Sequence, residues 1–224
     1  MTSSRQTLFA RLRAEATEEW DAFVGHAFVR RLGDGSLPEE CFRHYLGQDY
    51  LFLIQFARAY GLAVYKSETL EDMRQAAAGM AGILDEMGLH VKYCHDWGLS
   101  QDEMSALDEA RATTAYTRFV LDKGVAGDLL DLHVALAPCI IGYAEIGSGL
   151  KKQCGKGLAD NPFHRWIDSY AGADYQALAG AQVAQLDRLM AIRGGSGRFE
   201  SLAALFRQAV RLETDFWEMG LTLD

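Results

Sequence analysis

Apolar residues recur every three or four positions along almost the whole of this chain, and no segment alternates with a period of two. That pattern is one face of a helix repeated many times, and it argues against half-buried strands. Only three prolines occur in 224 residues, and none sits in a proline-rich linker. About half the residues are apolar (49 %), enough for one sizeable core. The expectation is an all-α fold, a compact multi-helix bundle of roughly seven or eight helices forming a single domain over residues 1–224.

The first stripe, Leu8, Leu12, Ala16, Trp20, Phe23 and Ala27, runs to a turn at Gly33-Asp34-Gly35. Ser36-Leu37-Pro38-Glu39 has the composition of a capping box opening a second helix, striped by Phe42, Tyr45, Asp49, Phe52, Leu53, Phe56 and Tyr60. Met73, Ala77, Met80, Leu84, Met87, Val91 and Cys94 form the third stripe, closed by Gly98. Ser100 and Glu103 form another capping-box start, and Ala112, Tyr116, Phe119 and Val120 mark the helix after it. Leu129, Leu132, Leu136, Cys139, Ile140, Tyr143 and Ile146 follow, with Pro138 inside the stripe. A proline there removes one N–H and frees the Val134 carbonyl, so a kink beside Cys139 is predicted. The glycine-rich stretch 147–161 reads as a broken helix and a loop, and Gly194-Gly195-Ser196-Gly197 as a loop before a last helix striped by Leu202, Phe206, Ala209, Glu213 and Phe216.

Charge and cysteine content narrow the function classes. The net charge is −9 and no basic cluster is longer than Lys151-Lys152, so a nucleic-acid surface is not expected. The four cysteines match no CxxC or zinc-finger spacing, which suits free thiols in a reducing cytoplasm. The charged, amphipathic first thirty residues lack a signal-peptide core, and no uninterrupted run of about 18 apolar residues suggests a membrane span. Nucleotide-binding glycine motifs, GxSxG and HExxH are absent.

The informative residues are polar groups where the helical period calls for burial. A buried carboxylate is costly unless paired. Asp49 interrupts one apolar stripe and Glu213 another. Asp49 could also be an edge position bonded to an arginine or to water, and Glu213 could pair on the surface with Arg207 or Arg211. Cys139 alone reads first as a small core hydrophobe. Glu86 and His90, four apart, could chelate a metal as in di-iron bundles, but the stripe places them on a solvated flank.

Five blocks together resemble the TenA/THI-4 family. Tyr45-Leu46-Gly47-Gln48-Asp49-Tyr50 resembles its YLxQDY signature, and Thr114-Ala115-Tyr116-Thr117 its central tyrosine segment. Pro138-Cys139 through Tyr143 to Ile146-Gly147 resembles PCxxxYxxIG, Trp166-Ile167-Asp168-Ser169-Tyr170 resembles WIxxY, and Glu213 to Trp217 resembles ExxFW. The resemblance implies a heme-oxygenase-like helical fold without haem, needing no cofactor and assembled as a homotetramer. It implies thiaminase II chemistry of the cysteine-containing class: hydrolysis of aminomethyl pyrimidine to hydroxymethyl pyrimidine in thiamin salvage, and in many members cleavage of thiamin. By the same resemblance Cys139 is the nucleophile, Asp49 binds the ring nitrogen and exocyclic amine, and Glu213 is the acid/base. Phe52 takes the stacking position, Tyr116 and Tyr143 orient substrate and thiol, and Tyr170 is an aromatic wall. Gly47 and the Ile140-Ile141 pair depart from the bulkier residues expected there. A metal-dependent di-iron oxidase using Glu86 and His90, and a non-catalytic pyrimidine-binding regulator, are the competing readings. The Met- and Ala-rich face of the third helix is a candidate subunit contact.

Overall fold

The computed structural model describes residues 6–195 and 197–224, without the side chains of Glu86 and Leu89. Its elements in chain order are α1 (Leu8–Glu15), α2 (Thr17–Val24), α3 (Ala27–Asp34), α4 (Glu39–Lys66), α5 (Leu70–Asp96), α6 (Gln101–Ser105), α7 (Arg111–Ala126), α8 (Leu129–Ala137), a π-helical turn (Pro138–Gly142), α9 (Tyr143–Cys154), a 3-10 turn (Gly155–Asp160), α10 (His164–Ala171), α11 (Ala173–Arg193) and α12 (Arg198–Thr222). No strand occurs among the described residues. The all-α expectation holds, with more and shorter helices than the stripes suggested.

The chain divides into two compact units, each discontinuous in sequence. The first comprises the chain up to Leu37 together with His133–Thr214. Its first apolar stripe is not one helix but three, although Leu8, Leu12, Ala16, Trp20 and Phe23 are all buried as expected. The breaks are made by polar atoms. Thr17 Oγ1 turns back to the Ala14 carbonyl (3.0 Å), and Ala16 leaves helical geometry. At the second break Gly25 closes α2, and His26 caps α3 by accepting from the Phe28 N–H (3.2 Å). Trp20 stacks on Phe206 (centroids 5.7 Å apart, 13° between planes), fixing α2 on α12. The 3-10 turn and α10 are tied to α3 by Asn161, whose amide donates to the carbonyls of Leu32 (3.0 Å) and Gly33 (2.9 Å).

The second unit comprises Pro38–Leu132 and Asp215–Asp224. Its centre is α4, on which α5, α6 and α7 pack. Eight consecutive α4 residues, 45–52, are buried, so this stretch is enclosed on all sides and not merely amphipathic. The Ser36 cap does not form: α4 begins at Glu39 after Pro38, and the Ser36 N–H goes to Asp34 instead. The Ser100–Glu103 capping box does form.

The run Leu129–Asp160 contains an 18-residue window apolar enough in composition for a membrane span, though not an uninterrupted apolar run, and 83 % of that window is buried inside the protein. Its apolarity is therefore satisfied by the protein interior.

Candidate active site

In the first unit the expected kink is a π-helical turn, Pro138–Gly142, joining α8 to α9. Pro138 cannot donate to the preceding turn, and the ladder widens around Cys139. The Tyr143 N–H then reaches back to the carbonyls of Cys139 and Ile140. Gly142 permits this packing, since a Cβ there would meet the Phe23 ring at 2.2 Å. Cys139 is only partly buried, between the fully buried Ala137 and the buried Ile140 and Ile141. The turn thus brings a thiol to an accessible edge of an otherwise closed apolar helix.

One helical step on, Tyr143 is buried (4 % exposed) and faces Tyr170 with ring centroids 5.0 Å apart. Trp166 lies 4.5 Å from Tyr170 and 5.9 Å from Tyr143, closing an aromatic triangle. Gly147 makes this possible. Its missing Cβ would lie 2.7 Å from the Tyr170 backbone carbonyl carbon, so α10 can approach α9 only against glycine. The sequence suggested that Gly147 begins a broken segment; it lies inside α9 and serves as a contact point. Glu213, on α12, is 1 % exposed. Arg207 and Arg211, its suggested surface partners, are engaged elsewhere, Arg211 at 2.8 Å and Arg207 at 3.6 Å from the Glu19 carboxylate.

In the second unit Asp49 is buried on α4 (5 % exposed). Burial raises its carboxyl to about 7, while a hydrogen bond with the Tyr45 side chain one turn earlier pulls the other way. His90 from α5 places Nδ1 3.6 Å from Asp49 Oδ2. Cys94, one turn further along α5, is fully buried; its thiol is pushed up to about 12, mainly by burial and secondly by the charge of Asp49. The inward face of α5 is Asp72, Ala76, Ile83 and Cys94, with Gly79 against the Tyr60 ring. Of the stripe expected from sequence Cys94 is the one buried member, and Met73 and Leu84 are exposed (40 % and 54 %). This register carries His90 inward, correcting the solvated-flank reading. The Glu86 half of the suggested metal pair lies outside the described side chains. Among the described residues, no group of three or more His, Cys, Asp and Glu side chains is arranged to hold a metal.

Phe52, one turn after Asp49, contacts Tyr116 (5.1 Å between centroids) and Phe216 (5.6 Å). The start of α7, the helix that carries Tyr116, is held by a polar anchor that appears in the sequence only within the YLxQDY block. The buried Gln48 accepts from the Ala110 N–H (2.9 Å) and the Thr113 hydroxyl (2.7 Å) and donates to the Asp108 carbonyl (3.0 Å). These bonds fix the start of α7 on α4 next to Asp49, one turn before Tyr116. Gln48 left no stripe signal because α4 is enclosed here. Gly47 faces Leu107, where a Cβ would meet the Leu107 side chain at 2.6 Å.

Each unit therefore collects part of the expected set: Cys139, Tyr143, Tyr170 and Glu213 in one, Asp49, Phe52 and Tyr116 in the other. The all-helical architecture is the fold that the comparisons identify. A domain of unknown function with a heme oxygenase-like fold from Shewanella denitrificans superposes with a TM-score of 0.77 at 11 % identity, covering 99 % of this chain and 94 % of that one, which concerns the fold alone. The TENA/THI-4/PQQC family profile matches residues 13–223, and the chain belongs to that family. It is 37 % identical over 214 residues to an aminopyrimidine aminohydrolase of Halalkalibacterium halodurans, covering 94 % of each chain. It is also similar to the crystal structure of a TenA family transcription regulator from a Silicibacter species, with a TM-score of 0.91 and 45 % identity over 99 % of this chain and 100 % of that one.

Proposed function

We propose that this protein is an aminopyrimidine aminohydrolase of thiamin salvage, converting aminomethyl pyrimidine to hydroxymethyl pyrimidine. The observation that carries the reading is Cys139 on a π-helical turn, partly accessible within an otherwise buried apolar helix, in a chain similar over 94 % of its length to a protein of that named activity. Cys139 adds to the pyrimidine ring, and the amine of the aminomethyl substituent leaves as ammonia, turning that substituent into an exocyclic methylene. Water then adds to that methylene and the thiolate leaves the ring, so one difficult substitution becomes two easier ones. Asp49 takes the polar edge of the ring, where its raised affinity for a proton favours activation of a ring nitrogen. Glu213 carries the proton to the departing amine and takes one from the incoming water. Phe52 stacks on the ring, Tyr116 and Tyr143 orient ring and thiol, and Tyr170 forms a wall, consistent with aromatic lining around a flat heterocycle. Thiamin, with a thiazolium in place of the amine, is a second substrate of the same chemistry. No cofactor enters these steps.

The protein acts in the cytoplasm as a single folded domain assembled as a homotetramer. The exposed apolar residues of α5, Leu70, Met73 and Leu84, are its subunit contact. Purified wild-type protein incubated with aminomethyl pyrimidine tests the assignment. Release of ammonia and hydroxymethyl pyrimidine, without stoichiometric iron, is expected. Tight binding without turnover would instead support a regulator, and iron-dependent oxidation would support the oxidase.

A further inference from the structure

We propose that His90 is a positioning residue that holds one proton jointly with Asp49, so that Asp49 can present a protonated carboxyl to the substrate ring at neutral pH. The catalytic use of that proton rests on the aminopyrimidine reading above; the shared proton itself does not.

The two ring nitrogens of His90 face different oxygens. Nε2 lies 3.2 Å from the Leu46 carbonyl oxygen. A carbonyl only accepts, so Nε2 carries a hydrogen. If the ring is neutral, Nδ1 is then unprotonated, and it lies 3.6 Å from Asp49 Oδ2. A lone pair facing a carboxylate in a buried site is repulsive. Both side chains are nearly excluded from solvent, at 10 % and 7 % exposure. The contact is favourable only when a proton lies on one partner, as Asp–COOH beside neutral imidazole or as carboxylate beside imidazolium. The pair therefore titrates as a unit. Among the described side chains, the other titratable groups coupled to Asp49 are Tyr45 from α4 and Cys94 from α5, whose thiol is pushed up to about 12. At the start of α7, Glu109 and Arg118 pair with each other (2.6 Å).

In the reaction, the Asp49 O–H bond breaks as an N–H bond forms on a pyrimidine nitrogen, leaving an aspartate carboxylate paired with the protonated ring edge. His90 keeps its Nε2–H throughout. When the product ring leaves as the neutral base, its proton returns to the Asp49–His90 pair, so no proton is gained or lost.

His90→Gln is the diagnostic variant. Glutamine can still donate to Leu46 but has no basic nitrogen to share a proton with Asp49. Without that sharing the carboxyl ionises at lower pH, so the alkaline limb of the kcat/KM profile should move toward acid by about one pH unit. At pH 8 kcat/KM should fall about tenfold, with KM and thermal midpoint little changed. An unshifted profile, or loss of activity only in step with loss of fold, overturns the proposal. A second measurement needs no turnover. In protein labelled with ¹⁵N-histidine, Asp49→Asn should lower the pH at which the His90 ring titrates by about one unit, because the imidazolium loses its counter-charge. An unchanged His90 titration overturns the shared proton whatever the enzyme does. A wild type without turnover whose His90 does respond to Asp49→Asn would defeat the functional reading and leave the shared proton standing.

Discussion

The two units hold their candidate residues by different physical means. Around Cys139 the positioning is steric: Gly142 admits the Phe23 ring, Gly147 admits the α10 backbone, and rings fill the remaining space. Around Asp49 it is polar: Gln48 pins α7 through three hydrogen bonds, and His90 and Tyr45 address the carboxyl. The proposed nucleophile needs a fixed position and access, which packing against glycine supplies. A proton-handling carboxyl needs a tuned electrostatic environment, which buried polar neighbours supply.

The largest expected difference is in response to pH. The Asp49 carboxyl is raised from 3.8 to about 7 on folding, so the stability it contributes is fully present below its unfolded value and lost as pH rises through about 7. Relative to wild type, Asp49→Asn should therefore gain on the order of 3 kcal/mol of stability between pH 4 and pH 8. Denaturant midpoints across that range measure it, and parallel curves would remove Asp49 from the tuned class.

Gln48→Ala should lower stability by roughly 2–3 kcal/mol, since it strands the Thr113 hydroxyl and the Ala110 N–H. Its kcat should fall with it as Tyr116 loses its anchor, which steady-state kinetics below the melting range would register. Gly147→Ala sharpens the steric side. Its Cβ meets backbone, which cannot swing away, so a net loss of about 1–2 kcal/mol is expected despite alanine's better helix propensity. Its thermal midpoint should drop without any change in pH dependence. Gly47→Ala should be the mildest, within about 1 kcal/mol, because the atom it meets is the tip of the Leu107 side chain. A melting curve far below wild type would show that the α4 approach is tighter than the Leu107 contact implies.

What the sequence disclosed depended on how each signal is generated. Asp49 and Glu213 were legible because a carboxylate breaks an apolar stripe, and both are buried. Pro138 announced a disturbance beside Cys139, although its π-helical form follows from ladder geometry that composition does not reveal. The breaks at Ala16 and Gly25 were hidden because apolar periodicity continues through them while polar side-chain bonds end the helices. On α5 Leu70, Met73 and Leu84 are exposed while Asp72, Ala76, Ile83 and Cys94 face inward, so the apolar stripe misplaced the inward face over most of its length and concealed His90. Gln48 was invisible for a related reason: on a helix enclosed all round, a polar residue interrupts no stripe.

The central claim is that Cys139 and Asp49 both serve the proposed aminopyrimidine reaction, and kcat/KM for aminomethyl pyrimidine in wild type, Cys139→Ala and Asp49→Asn tests it most directly. The account expects losses of about 10³-fold for the cysteine variant and about 10²-fold for the aspartate variant, both with retained fold. An Asp49→Asn enzyme within about twofold of wild type, beside an inactive Cys139→Ala, would contradict it.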